Sequence, residues 1–243
     1  MTHHFGIIGN PLDHSYSAKW FNRQFELNNI DALYCNYQLE NINNIREFIS
    51  QNKLKGINVT FPFKKQIIPF LDRLTPVAQM IGAVNVVYDK NGQLIGHNTD
   101  CIGFERALTE LLNRKKTYQA LILGTGGAAR AVCQALKNMA INYQLVSRQQ
   151  SSYAITYSQI TEQTISQYNI IINCTPLGMK PYEHQCPDIP YNLINKHHLL
   201  FDLIYNPSPT LFLKQGAEHG AQISDGLNML IYQARETWNF FEL

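Results

Sequence analysis

The sequence predicts an α/β protein of two domains, and three observations carry that prediction. Strand-like and helix-like apolar patterns alternate along the whole chain, as βαβ units on a mostly parallel sheet require. A second series of such units starts after Asn98-Thr99-Asp100, which sets a boundary near residue 100. The length of 243 residues suits two domains, each of about 120 residues.

In the first series, FGIIGN (5–10) is a short apolar run that ends in turn residues. SAKWFNRQFEL (17–27) sets Ala18, Phe21 and Phe25 on one helical face. ALYCNYQL (32–39) reads as a strand, NIREFISQNK (44–53) as a helix and KGINVTF (55–61) as a strand. Two helices are expected around 64–71 and 75–81, and then a hairpin turning at Asn91-Gly92. In the second series, IGFERALTELLNR (102–114) is an amphipathic helix and TYQALIL (117–123) a strand. A glycine turn opens a helix over 124–140, and strands follow at 141–148, 169–174 and 199–205. The last segment spaces Leu227, Leu230, Ile231, Ala234, Trp238 and Phe241 along one helical stripe.

Composition narrows the class. Twenty basic against 18 acidic side chains leave a net charge of +2, so neither nucleic acid nor an anionic membrane is an expected partner. The five cysteines are scattered without a CxxC pair, and the eight histidines show no metal spacing, so no disulfide framework or metal site is expected. The N-terminus has no signal-peptide pattern, and no apolar run approaches the ~18 residues of a membrane span. The cytoplasm is the expected location.

Strand 117–123 runs directly into Gly124-Thr125-Gly126-Gly127-Ala128-Ala129-Arg130. Gly124, Gly126 and Ala129 match G-x-G-x-x-G/A in strand–turn–helix context, the fingerprint of a Rossmann-type dinucleotide site. The first glycine allows the tight turn, the second admits a pyrophosphate to the backbone, and the small third residue lets helix and strand pack. An ordinary tight βα turn is the competing reading. An NAD site usually ends its next strand in an acid that holds the ribose 2′-hydroxyl. Here that strand ends Val146-Ser147-Arg148, and an arginine pairs with a 2′-phosphate, which favours NADP; the plainer reading is a surface arginine.

The first half offers polar residues where open α/β sheets bind ligands. Ser15 and Ser17 bracket a helix start. From spacing alone they read more simply as N-caps, and otherwise as a carboxylate-binding pair. In NVTFPFKK (58–65) an alternating strand stops at Pro62 and presents Lys64 and Lys65, which composition leaves equivalent. Thr60, Lys64, Asn85 and Asp100 each have a bland reading, Asp100 as a helix cap among them. Together they supply the hydroxyl, ammonium, amide and carboxylate that a small polyhydroxy acid needs.

Eight segments then carry a resemblance: GNPLDHSYSA, NVTFPFK, IGAVN, HNTD, GTGGAAR, NCTPLGM, DLIYNP and DGLNMLIYQA. In order and spacing the chain resembles the shikimate dehydrogenase family along nearly its full length. The resemblance implies two α/β domains around a cleft: a substrate domain of 1–100 plus 225–243 and an NADP domain of 101–224. It implies reversible reduction of 3-dehydroshikimate to shikimate with NADPH in aromatic amino-acid biosynthesis, by a monomer or homodimer. Carried over by residue, Ser15 and Ser17 bind the substrate carboxylate, which reverses the cap reading. Thr60, Asn85, Asp100, Tyr205 and Gln233 hold the substrate's hydroxyls and carboxylate, and Lys64 with Asp100 forms the catalytic pair. Gly124, Thr125, Gly126, Gly127, Ala128, Ser147, Arg148, Leu203 and Gly226 border the cofactor. The T-x-P-x-K spacing selects Lys64 over Lys65.

The chain departs from the family pattern at Ala18 (usually proline), His97 (usually aspartate), Cys101 (usually glycine) and Pro76 (often an acid). It also has no second arginine after Ser147-Arg148-Gln149, which keeps an NAD-preferring quinate/shikimate dehydrogenase as an alternative. A non-catalytic shikimate- or NADP-binding regulator is the alternative from another class, and the presence of both Lys64 and Asp100 argues against it.

Overall fold

The structure is a computed structural model that describes residues 2–12, 16–113 and 115–243. The chain divides into two compact units, 1–99 with 233–243, and 100–232.

The first unit holds β1 (His3–Gly9), β2 (Ala32–Gln38), β3 (Leu54–Val59), β4 (Arg73–Leu74), β5 (Val86–Lys90) and β6 (Gln93–His97) in one sheet of order β2-β1-β3-β5-β6-β4. Only β5 runs against the others. Strand β1 is buried from Phe5 to Gly9, as a central strand covered on both faces must be. Its alternate residues serve different cores. Phe5 and Ile7 join Phe21 and Phe25 of α1 (Tyr16–Leu27). Ile8 joins Ile45 and Ile49 of α2 (Ile45–Gln51). The β5–β6 turn is the expected two-residue hairpin, with Asn91 at φ 58° and Gly92 at φ 82°, the left-handed pair that Asn-Gly tolerates.

One element differs from expectation. Residues 64–71 form turns and a single 3-10 turn at Ile68–Phe70 rather than a helix. Phe63 and Ile67 have the helical spacing that suggested it. Both are buried in the same core cluster, at 1% and 0% exposure, while Pro62 and Pro69 keep the backbone from extending an i→i+4 ladder. The helix α3 (Pro76–Ile81) forms as expected, with the Thr75 hydroxyl accepting from Ala78 N at 3.4 Å.

The second unit starts with α4 (Asp100–Thr109), which begins two residues earlier and ends five residues earlier than the 102–114 span expected. Its sheet contains β7 (Gln119–Leu123), β8 (Asn142–Ser147), β9 (Ala154–Thr156), β10 (Ile170–Asn173), β11 (Leu199–Asp202) and β12 (Gln222–Ser224). All pairings are parallel and the order is β12-β11-β10-β7-β8-β9. Counted from β7 as first strand this is 3-2-1-4-5-6, the doubly wound dinucleotide-binding order, with its switch between β7 and β10. The crossovers include α5 (Gly127–Asn138), α6 (Glu162–Gln167) and α7 (Leu211–Glu218). Strand β12 leads to α8 (Leu227–Phe240), whose last turns belong to the first unit. There Phe241 lies over Gly56 of β3, where an added Cβ would fall 2.4 Å from its ring. No helix among the described residues is long and apolar enough to cross a membrane.

Candidate active site

In the first unit, buried polar side chains from six segments meet in one network. Tyr34 on β2 donates from Oη to Asn58 Oδ1 at 2.6 Å, and the Ser17 hydroxyl is hydrogen-bonded to the same phenol. Asn58 Nδ2 donates to Thr237 Oγ1 and to the Asn85 carbonyl, both at 3.4 Å. Asn85 is held at both ends of its amide. Its Oδ1 accepts from Thr99 N at 2.8 Å, and its Nδ2 donates to Thr99 Oγ1 at 3.0 Å. Gln233 Oε1 accepts from Thr99 Oγ1 at 3.3 Å and from Asn85 Nδ2 at 3.5 Å. Ser17, Asn58, Asn85, Thr99, Gln233 and Thr237 are all buried, and these partners offset the cost of taking their polar groups out of water.

Ser17 is the second residue of α1 and its side chain turns inward to Tyr34, so it is not the N-cap that spacing favoured. Ser15 lies outside the described residues. Tyr34, Asn58, Thr99 and Thr237 were not among the expected site residues. The available signal was a lone amide in a buried strand, Asn58 between Ile57 and Val59.

Lys64 sits on the turn after β3. Thr60 N donates to Ile8 O at 2.9 Å, and Phe63 N closes back on Thr60 O at 2.9 Å. The Phe61–Pro62 peptide is cis. With Phe63 and Ile67 buried on either side, Lys64 is half-buried whereas Lys65 is exposed. The Lys64 carbonyl accepts from Val84 N at 2.7 Å, which fixes its backbone beside Asn85. His97, the departure at the end of β6, takes a structural place. Its Nδ1 lies 2.8 Å from Thr75 Oγ1, its ring stacks on Phe240 at 4.6 Å, and burial lowers its pKa.

In the second unit Asp100 is the first residue of α4 and is buried, so it lies inside the helix rather than capping it. The glycine turn follows β7. Gly124 has φ 106°, a value L side chains rarely adopt, and donates from N to Val146 O at 2.9 Å. Gly126 is the N-cap of α5, and a Cβ built there would meet nothing within 4 Å. The turn therefore leaves open space over the free amides of a 12-residue helix, a cradle suited to a pyrophosphate. Gly127 and Ala128 begin that helix beside Thr125, and Ala129 packs inward at 1% exposure. At the end of β8, Ser147 Oγ accepts from Gln149 N at 3.3 Å and Arg148 is exposed.

Leu203 and Gly226 come together as backbone. A Cβ at Gly226 would fall 2.1 Å from Leu203 O, and Gly226 N donates to Ile204 O at 3.1 Å. Half-buried Tyr205 follows in the same loop after β11. The second unit thus brings its expected cofactor residues to the carboxyl ends of its parallel strands, where open α/β sheets bind ligands. Burial raises two groups beside them. The Cys174 thiol is pushed well above its ordinary value, and the Asp202 carboxyl is pushed up to about 6.

Residues 7–87 match the family model of the shikimate dehydrogenase substrate binding domain. Across 97% of its length the chain is 35% identical to the NADP(+)-dependent shikimate dehydrogenase of Desulforamulus reducens, covering 89% of that protein. The chain belongs to the shikimate dehydrogenase family. The crystal structure of the family member from Aquifex aeolicus superposes with a TM-score of 0.90 at 35% identity, over 99% of this chain and 92% of that one. The shikimate 5-dehydrogenase of Thermus thermophilus, solved with NADP(H) and shikimate, gives 0.87 at 27% identity over 98% and 93%. The two-domain α/β architecture is therefore that of shikimate dehydrogenases, with a substrate-binding domain and a Rossmann-like NADP domain.

Proposed function

We propose that this protein catalyses the reversible, NADP-dependent reduction of 3-dehydroshikimate to shikimate in aromatic amino-acid biosynthesis. One observation carries the reading at residue level. The buried network of the first unit holds the amides of Asn85 and Gln233 in fixed orientation, with the Lys64 backbone tied next to Asn85. Such an array suits a ligand with several hydroxyls, because a site built to hydrogen-bond hydroxyls rejects analogues that lack them.

In this reading residues 1–100 with 225–243 form the substrate domain and residues 101–224 the dinucleotide domain. Ser15 and Ser17 bind the carboxylate, and Thr60, Asn85, Asp100, Tyr205 and Gln233 hold the hydroxyls and carboxylate. NADPH held in the dinucleotide domain would supply the hydride that reduces the C3 carbonyl. Lys64 and Asp100 act as the acid–base pair: the lysine ammonium gives a proton and positive charge to the developing alkoxide, and the carboxylate sustains the ammonium form. The held amides keep the substrate in register, the positioning part of catalysis. The glycine turn, Ser147, Arg148, Leu203 and Gly226 border the cofactor, with Arg148 facing the 2′-phosphate.

The protein works in the cytoplasm as a monomer or homodimer, a location supported by five cysteines that are all unpaired. The lone arginine in Ser147-Arg148-Gln149 supports a second reading, an enzyme that also takes quinate with NAD. One experiment separates them: initial rates with shikimate and quinate, each with NADP+ and NAD+. Oxidation of shikimate with NADP+ as the best pair supports the proposal. Faster quinate oxidation with NAD+ replaces it with the second reading, and no oxidation in any combination leaves a binding protein.

A further inference from the structure

Asp202 is the last residue of β11 and has no exposed surface. Its carboxylate draws hydrogen bonds from three segments. Ile204 N and Asn173 Nδ2 donate to Oδ1 at 3.0 and 3.1 Å, and the Thr210 hydroxyl donates to Oδ2 at 2.6 Å. Asn173, the last residue of β10, is equally buried. Its own Oδ1 accepts from Thr175 N at 3.0 Å and Thr175 Oγ1 at 2.7 Å, and its Nδ2 also reaches Leu177 O at 3.1 Å. Thr210 is the N-cap of α7, with its oxygen accepting from Leu213 N at 3.4 Å while its proton goes to Asp202. One carboxyl thus organises the loop after β10, the loop after β11 and the start of α7.

Those loops form the surroundings of the glycine turn and of Gly226. A Cβ at Gly124 would fall 3.2 Å from Cys174 O, in the loop after β10. A Cβ at Gly226 would fall 2.1 Å from Leu203 O, in the loop after β11. Burial raises the Asp202 carboxyl, Asp225 adds to the rise, and the three hydrogen bonds only offset it. A buried charge is commonly replaceable by apolar packing at no loss of stability.

We infer that Asp202 is a positioning residue for the dinucleotide: through Asn173 and Ile204 it sets the two loops against which Gly124 and Gly226 are placed. The inference rests on the reading of residues 101–224 as the NADP domain, and it is tested by binding rather than turnover alone. NADPH is titrated by fluorescence into the wild type and into the Asp202→Asn, Thr210→Val and Thr210→Ser variants, with shikimate KM measured in parallel. Asp202→Asn should weaken NADPH binding roughly tenfold with shikimate KM within about twofold. Thr210→Val should shift binding in the same direction, and Thr210→Ser, which keeps the hydroxyl, should bind as the wild type does. NADPH affinity within about twofold of wild type in folded Asp202→Asn overturns the inference. If that variant does not fold, equal affinities of Thr210→Val and Thr210→Ser overturn it instead. A wild type that binds NADPH without oxidising shikimate refutes the assigned reaction and leaves this test intact. A wild type that binds no NADPH refutes both.

Discussion

Tyr34 Oη donates to Asn58 Oδ1 at 2.6 Å in a part of the first unit where both residues are buried. The phenol ring itself is fixed by stacking on Phe21, at 4.5 Å and 6°. Removing the hydroxyl while keeping the ring leaves a buried amide oxygen without its donor. Tyr34→Phe should therefore lower unfolding free energy by about 1–3 kcal/mol. The urea midpoint at unchanged slope measures it, and an unchanged midpoint would show that the bond adds nothing to the fold.

The open space over Gly126 separates binding from folding. A Cβ there touches nothing within 4 Å and the residue has φ −73°, so Gly126→Val costs the fold little, about 0.5–1 kcal/mol for a poorer cap. The valine occupies the space a pyrophosphate would fill. NADPH affinity should fall more than about tenfold while thermal unfolding moves only slightly. Undiminished NADPH binding in this variant contradicts the cradle.

Asp202 gives the folded state a pH signature. Its native pKa of about 6, raised by burial, stands above the ordinary carboxylate value of 3.8. Between roughly pH 4 and pH 6 the native state therefore binds more protons than the unfolded one, and stability declines as pH rises. Urea unfolding across that range should show this decline in the wild type and a flatter profile in Asp202→Asn. Parallel profiles would mean that Asp202 titrates normally.

Two thiols beside motif residues should be inert. Burial raises Cys174 well above its ordinary value, and Cys101 is pushed up to about 12 by burial and by Glu105 and Asp100. Alkylation follows the thiolate. At neutral pH in native protein both should resist iodoacetamide, and both should label after denaturation, as peptide mass spectrometry reads directly. Rapid native labelling at either position contradicts the raised thiol pKa values.

Legibility in the sequence followed periodicity and backbone chemistry. The Asn91-Gly92 hairpin, the glycine turn at 124–129 and the stripe of α8 were readable because each imposes a local requirement on residue type. Strands β4, β9 and β12, of two or three residues, are too short to show a period, and α7 carries Gly216 under Leu200, an unpromising residue for a helix. Segment 64–71 misled because Phe63 and Ile67 share helical spacing although turns, not a helix, carry both into one core cluster. At the candidate site, Lys64 could be told from Lys65 only through the family spacing. Ser17 reads as a cap from spacing alone, and only the family resemblance set that reading aside; its inward bond to Tyr34 is a long-range pairing that spacing does not show. Tyr34, Thr99 and Thr237 stayed hidden because long-range pairing, not local pattern, gives a buried hydroxyl its partner.

The central claim is that shikimate is oxidised with NADP+ through Lys64, and the initial rate of NADPH formation in wild type and Lys64→Ala tests it most directly. A positioned acid–base group contributes about 10²–10⁴-fold to rate. The wild type should be active with shikimate and NADP+, and the variant's kcat should fall by about that factor with little change in KM. A near-normal kcat in Lys64→Ala would contradict it.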